Sequence, residues 1–365
     1  MRKLKFKKQS KSLDRKLLIL VLILTFTGLV AVADASAPIA VREFGDKFYF
    51  AKQQAYWAIF GLFALFVVSK IKYDYWERIA IFIFPLAIAA LVLVFIPGFG
   101  TRLLGAKRWV LIGPFSFQPS EFAKLALVIY LAKVAAKDKK SLAYFIPLIM
   151  VAVLILLQPD LGTTVVTVGA GLVQIFVAGI GFLHFALAGT SGVIASVLII
   201  LSSDYRRARL LTFLSQAEDP LGKSYHIRQI ILALGAGGIF GVGLGQSRQK
   251  YLFLPETATD SIFAIIAEEL GFIGASIVII CFMIFVFRAI KIASLAPDKF
   301  SKILATGIVA WIGGQALLNI GSMVAVVPLT GIPLPFLSYG GSSLIMVLVA
   351  TGILLNISKY TSVKK

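Results

Sequence analysis

Leu17-Leu18-Ile19-Leu20-Val21-Leu22-Ile23-Leu24-Thr25-Phe26-Thr27-Gly28-Leu29-Val30-Ala31-Val32 is an almost unbroken apolar run. It starts directly after a head in which Arg2, Lys3, Lys5, Lys7, Lys8, Lys11, Arg15 and Lys16 face a single acid, Asp14. A helix needs about 20 such residues to cross the hydrocarbon of a bilayer. A basic head before an apolar run also describes a secretory signal, but no Ala-x-Ala cleavage site with a polar lead-in follows, and Asp34 and Arg42 simply begin a loop. The run therefore reads as an uncleaved first span.

The same grammar repeats along the chain. Apolar runs at about 17–34, 54–69, 79–96, 120–136, 142–157, 163–178, 185–203, 266–287, 303–327 and 344–357 are separated by charged or Pro/Gly-rich stretches. Over the 365 residues 59% are hydrophobic and 15% charged, against about 25% charged in ordinary soluble domains. Intrinsic disorder, a disulfide-stapled secreted fold and a cytosolic enzyme are excluded. The lone Cys281 lies inside an apolar run and has no intrachain partner. The expected fold is an all-α polytopic membrane protein with ten transmembrane helices and one large extracytoplasmic loop, 204–265, between spans 7 and 8. Residues 1–16 and 358–365 form basic tails around the spanning domain 17–357.

A net charge of +19 on a soluble chain would suggest nucleic acid, but its distribution points to the lipid bilayer instead. With the basic head inside, the inside segments 1–16, 70–78, 137–141, 179–184, 288–302 and 358–365 hold 21 Lys and Arg. The outside segments, apart from the long loop, hold 6. Short loops rich in Lys and Arg stay inside, so both termini are expected in the cytoplasm.

Candidate chemistry lies on the other side. Gly222-Lys223-Ser224 resembles the end of a phosphate-binding loop, but Ala217 stands where the motif needs glycine, and no nucleotide is expected. His184 and His226 are too few and too far apart for a metal cluster and read as structural. Ionisable groups inside spans are costly and mark function by default. Glu121 and Lys124 share one helix face; a helix cap at Ser120 and Glu121 would explain the acid but not the lysine. Asp160 suits a helix cap and also the lining of an outer cavity beside Glu121. Asp260 stands where the long loop turns into a helix over 261–270, with Glu268 and Glu269 further along. Arg206, Arg207, Arg209, Arg228, Arg248 and Lys250 surround it in the same loop and would keep it ionised at neutral pH. One carboxylate among many cations at a membrane surface suits a lipid-linked pyrophosphate substrate.

These segments together resemble the outer-face motifs of the SEDS family (shape, elongation, division and sporulation). The residues that carry the resemblance are 105–109 (with Arg108 and Trp109), 118–124, 158–163, 241–250, 254–260 (with Glu256) and 333–343 (with Ser338, Tyr339 and Ser342), in family order. Gly331 to Phe336 and Gly45 to Phe50 look more like the division branch, FtsW, than the elongation branch, RodA. The resemblance implies a ten-span peptidoglycan glycosyltransferase that polymerises lipid II at the outer face of the bacterial cytoplasmic membrane, at the division septum.

It also implies particular roles. Asp260 would be the catalytic base; Glu121, Lys124 and Asp160 would line the cavity beneath it. Arg248 and Lys250 would hold phosphates, helped by a divalent ion such as Mg or Mn, and Tyr339 to Ser343 would approach the lipid. A class B penicillin-binding transpeptidase and other divisome membrane proteins would be partners. The family pattern His-Thr-Asp-Phe is replaced here by Ala258-Thr259-Asp260-Ser261, which keeps the aspartate but not the His and Phe, so whatever substrate contacts the resemblance implies for those two do not carry over. A lipid II flippase would use the same cationic cavity but needs a polar path inward, and a non-catalytic division scaffold would not need Asp260.

Overall fold

The computed structural model describes residues 12–103, 106–112, 115–138, 140–181, 185–187, 189–192, 225–251 and 256–361. Helix α1 (Arg15–Ala35) begins at Asp14, whose carboxylate accepts from the Leu17 N–H at 3.0 Å. A short α2 (Ala37–Phe44) ends at Gly45, whose φ of 68° ends the helix in the left-handed region. Helices α3 (Tyr49–Lys70) and α4 (Asp74–Leu93) follow, then a sheet, then α5 (Pro119–Ala136), α6 (Leu142–Leu157) and α7 (Leu161–Val177). Beyond them lie α8 (Tyr225–Gly237), α9 (Ile262–Ser294), α10 (Lys299–Met323) and α11 (Gly341–Ser358).

Among the described residues α1, α3, α4, α9, α10 and α11 are long and apolar enough to cross a membrane, and α6 and α7 are shorter and apolar. Helix α5 has 18 residues but carries Glu121, Lys124 and Lys133. It nonetheless sits at the centre: 14 of its 18 residues are buried, and it packs against α4, α6, α7 and α10. The expected run at 185–203 falls mostly outside the described residues.

Two expectations are corrected. The protein is not all-α: β1 (Gly100–Leu103), β2 (Ala106–Ile112) and β3 (Phe115–Phe117) form an antiparallel sheet in the order β1-β2-β3, with Thr101 opposite Trp109 and Val110 opposite Phe117. Thr, Trp, Val and Phe favour a pleated surface, and the strands are too short to stand out in a hydropathy pattern. The eighth apolar run is not one straight span either. Gly271, at φ 67°, breaks α9 into a buried half-helix, 262–270, and a long remainder. Gly238 to Gly243 pack on this break, with Phe272 N–H donating to the Gly238 carbonyl at 2.9 Å and Val242 N–H to that of Glu268 at 3.0 Å. A Cβ on Gly271 would lie 2.3 Å from the Gly241 nitrogen, so only glycine allows the approach.

The chain's segments gather at two ends of the bundle. At one, Asp14 pairs with Arg288, its N–H donates to Ser358 Oγ, Tyr73 hydroxyl donates to Asp298, and Lys359 donates to the Ser69 carbonyl. At the other, the end of α1, the sheet, residues 158–160, residues 239–251, the turn 256–261 and the segment 328–340 meet.

Candidate active site

Asp260 lies at this second end on a tight turn, 256–261. Glu256 adopts φ 50° and its carbonyl accepts from the Thr259 and Ser261 N–H groups at 3.1 and 3.3 Å. The turn is held from three sides. Thr257 Oγ1 donates to the Ala35 carbonyl at the end of α1. Ser338 Oγ donates to the Thr259 carbonyl, and Tyr339 N–H to that of Ala258 at 2.8 Å. The amide of Asn319, on α10, donates to the carbonyl of Asp260 itself at 2.8 Å. Asp260 is 6% exposed. The N-cap position of α9 is Ser261, one residue after Asp260.

A second polar group is also buried. Lys124 Nζ stands 2.8 Å from Glu121 Oε1 and donates to Gln315 Oε1 at 2.8 Å, with the Trp311 ring 5.1 Å away. Trp311 Nε1 donates to the same Gln315 oxygen. Gln315 Nε2 donates to the Pro333 carbonyl and Asn319 Nδ2 to that of Ile332, both at 2.8 Å. Gln315 and Asn319 are one turn apart on α10, so the Glu121–Lys124 pair and the Asp260 turn are braced by one helix face.

Asp160 caps α7, accepting from the Thr163 N–H at 3.0 Å, and its other oxygen lies 3.9 Å from Arg108. Arg108 also donates to the carbonyls of Gln158 and Pro159. Trp109 is half-buried on β2. Ser342 Oγ accepts from the Gln118 N–H at 3.1 Å and donates to the Ser116 carbonyl, joining the sheet to the start of α11. Tyr339 hydroxyl donates to Gln53 Oε1 and its ring packs edge-on to Phe50; burial pushes that phenol up to about 12.

Lys250 stands in a separate cluster. Its ammonium lies 2.8 Å from both Asp34 and Glu269, so its charge is matched within the fold. Ser247 binds Glu268 and Glu269, and the Arg248 N–H donates to Glu268 at 3.0 Å while the Arg248 side chain stays exposed. Glu256 is also exposed. Arg206, Arg207, Arg209, His184 and Gly222 to Ser224 lie outside the described residues.

Sequence reading missed three participants. Gln315 and Asn319 are a polar pair four apart inside an apolar run, a signal open to inspection. His226, read as structural, places Nε2 3.0 Å from Ser261 Oγ, beside Asp260; no local pattern marks that contact.

The profile of the cell cycle proteins FtsW, RodA and SpoVE matches residues 14–363. The chain is 44% identical to the stage V sporulation protein E of Bacillus subtilis over 95% of its length and 97% of the relative's. It is 39% identical to a probable peptidoglycan glycosyltransferase FtsW of Geobacter metallireducens, covering 97% and 98%. In three dimensions it is similar to a chain of a peptidoglycan synthase complex that coordinates polymerization and crosslinking, with TM-score 0.78, 26% identity and coverage of 95% and 97%. It is also similar to the rod shape determining protein RodA of Thermus thermophilus, with TM-score 0.71, 25% identity and coverage of 96% and 98%.

Proposed function

The chain belongs to the FtsW, RodA and SpoVE family of cell cycle proteins, and we propose that it is a peptidoglycan glycosyltransferase that polymerises lipid II at the outer face of the bacterial cytoplasmic membrane. The observation that carries this reading is the setting of Asp260, a buried carboxylate on a turn gripped by α1, α10 and the 328–340 segment. A catalytic base has to be held in place before its substrate arrives.

Asp260 takes the proton from the 4-hydroxyl of the acceptor sugar as that oxygen bonds to the anomeric carbon of the lipid-linked strand. The bond from this carbon to the pyrophosphate oxygen breaks with inversion, and undecaprenyl pyrophosphate leaves with the electron pair. One carboxylate suffices because the leaving group is already acidic and needs charge stabilisation more than a proton. Arg248, with its exposed guanidinium, meets the phosphates. Lys250 acts behind it by fixing the loop through Asp34 and Glu269.

A divalent ion would neutralise part of the pyrophosphate charge. Among the described residues no three His, Cys, Asp or Glu side chains cluster, and an ion that arrives with substrate phosphates needs only one or two carboxylates from the protein.

The partner we propose is a class B penicillin-binding transpeptidase, within a set of divisome membrane proteins; the likeness to a synthase-complex chain supports this. For the setting we propose the division septum, supported by several FtsW relatives at 37–40% identity. Spore wall synthesis is a second setting, favoured by the 44% identity to a sporulation protein.

The test is incubation of the purified protein with lipid II, with and without the transpeptidase. Glycan strands on a gel are the expected product. Transfer of lipid II across vesicle membranes with no strands formed would overturn the reading in favour of a flippase.

A further inference from the structure

Asn319 lies within the membrane-spanning helix α10, with none of its surface exposed. A polar amide at such a position is costly unless it is matched. Both of its N–H groups are used, each at 2.8 Å, on the carbonyls of Asp260 and Ile332. Two carbonyl neighbours fix the amide's orientation, because only the NH₂ end can face them. Its Oδ1 is then buried with no hydrogen-bond partner. The two bonds tie the backbone of the 256–261 turn to that of the 328–340 segment.

We propose that Asn319 is the positioning residue for Asp260: it sets where the carboxylate stands by tying the backbone of Asp260 to that of Ile332. The inference rests on the reading of Asp260 as the base. Ser338 and Tyr339 fix the neighbouring residues Thr259 and Ala258, while Asn319 acts on the carbonyl of Asp260 directly. Loss of this bond lets the peptide tilt and the carboxylate withdraw from the acceptor hydroxyl. A misplacement of about 1 Å costs on the order of 100-fold in turnover.

The variant Asn319→Asp keeps size and shape and removes both donors. Gln174→Glu is the control. Gln174 Nε2 also donates to two carbonyls, of Val128 on α5 and Ile303 near the start of α10, at 2.9 and 3.1 Å, in the same core but without touching the Asp260 turn. Each protein is purified with its transpeptidase, its binding-competent sites are counted with lipid II, and kcat and KM are measured per competent site.

For Asn319→Asp we expect kcat per site to fall about 100-fold with KM for lipid II unchanged, while Gln174→Glu lowers thermal stability and leaves kcat per site intact. Placed on top of Asp260→Asn, the Asn319→Asp change should cost nothing further, because it acts through that carboxylate. Where a carboxylate at this depth prevents folding, Asn319→Ser, with one donor, carries the same test and should give an intermediate loss.

Unchanged kcat per site in the Asn319 variants, or an equal loss in the Asp260→Asn background, overturns the proposal while leaving Asp260 as the base. Near wild-type turnover by Asp260→Asn alone overturns the base, and this inference with it.

Discussion

The Lys124 ammonium lies 2.8 Å from the Glu121 carboxylate, a full turn into the central helix, with 3% and 1% of the two side chains exposed. The second oxygen of Glu121 is buried without a hydrogen-bond partner, so Lys124 is what compensates the acid. Removing one charge leaves the other buried and unpaired, at a cost of about 3–5 kcal/mol. Removing both leaves neither. Glu121→Gln and Lys124→Met should each lower stability and polymerisation more than the double substitution does. A double-mutant cycle measures this; strict additivity would mean the two charges do not act as a pair.

Lys250 provides a pH-dependent expectation. Burial alone would pull its ammonium down, but hydrogen bonds to Asp34 and Glu269 outweigh that and hold it above the ordinary lysine value. A raised value in the folded state stabilises the fold at every pH below the unfolded lysine value of about 10.4 and stops doing so as pH climbs through the folded value. Lys250→Met should therefore unfold at a lower temperature than wild type at pH 7, and the gap should close above about pH 10.5. A gap independent of pH across that range would contradict the ionic account.

Much of the bundle was legible. The run 142–157 coincides with α6, and 17–34 lies within α1, because uniformly apolar stretches between charged punctuation leave few alternatives. The break at Gly271 was hidden, since a glycine in an apolar run looks the same whether or not the helix bends there. The strands between 100 and 117 were too short for a hydropathy window. At the site, the turn of Asp260 into a helix could be read locally. The partners of Lys250 could not, because Asp34 lies 216 residues away in sequence and only packing brings it near. Gln315 and Asn319 are visible as polar residues in a span, but uncharged amides also bond between packed helices, so the pattern alone does not tie them to the site.

Gly162 is pressed against the segment that crosses the site. A Cβ there would stand 2.5 Å from the Thr330 carbonyl oxygen and 2.7 Å from Ile332 Cγ2. The Thr330 carbonyl is backbone and cannot rotate away. Gly162→Ala should displace residues 330–332, which Asn319 links to Asp260, and cut turnover more than membrane insertion. Full activity in Gly162→Ala would show that this segment can move without consequence.

The side of the membrane is open to a direct test. In a Cys281→Ala background, single cysteines at Asp14 or Asp298 should react with an impermeant reagent only after permeabilisation, and one at Glu256 in intact cells. The reverse pattern would invert the proposed topology and place Asp260 away from its substrate.

If Asp260 accepts the proton in strand elongation, as proposed, Asp260→Asn removes the acceptor and little else. The amide preserves size, and the bonds that grip the turn run through its backbone and neighbours rather than the carboxylate. Folding, transpeptidase binding and lipid II binding should survive. Strand synthesis should fall by about 10²–10⁴-fold, the contribution of general base catalysis. Purified Asp260→Asn with its transpeptidase bound, polymerising lipid II at near wild-type rate, would contradict the account.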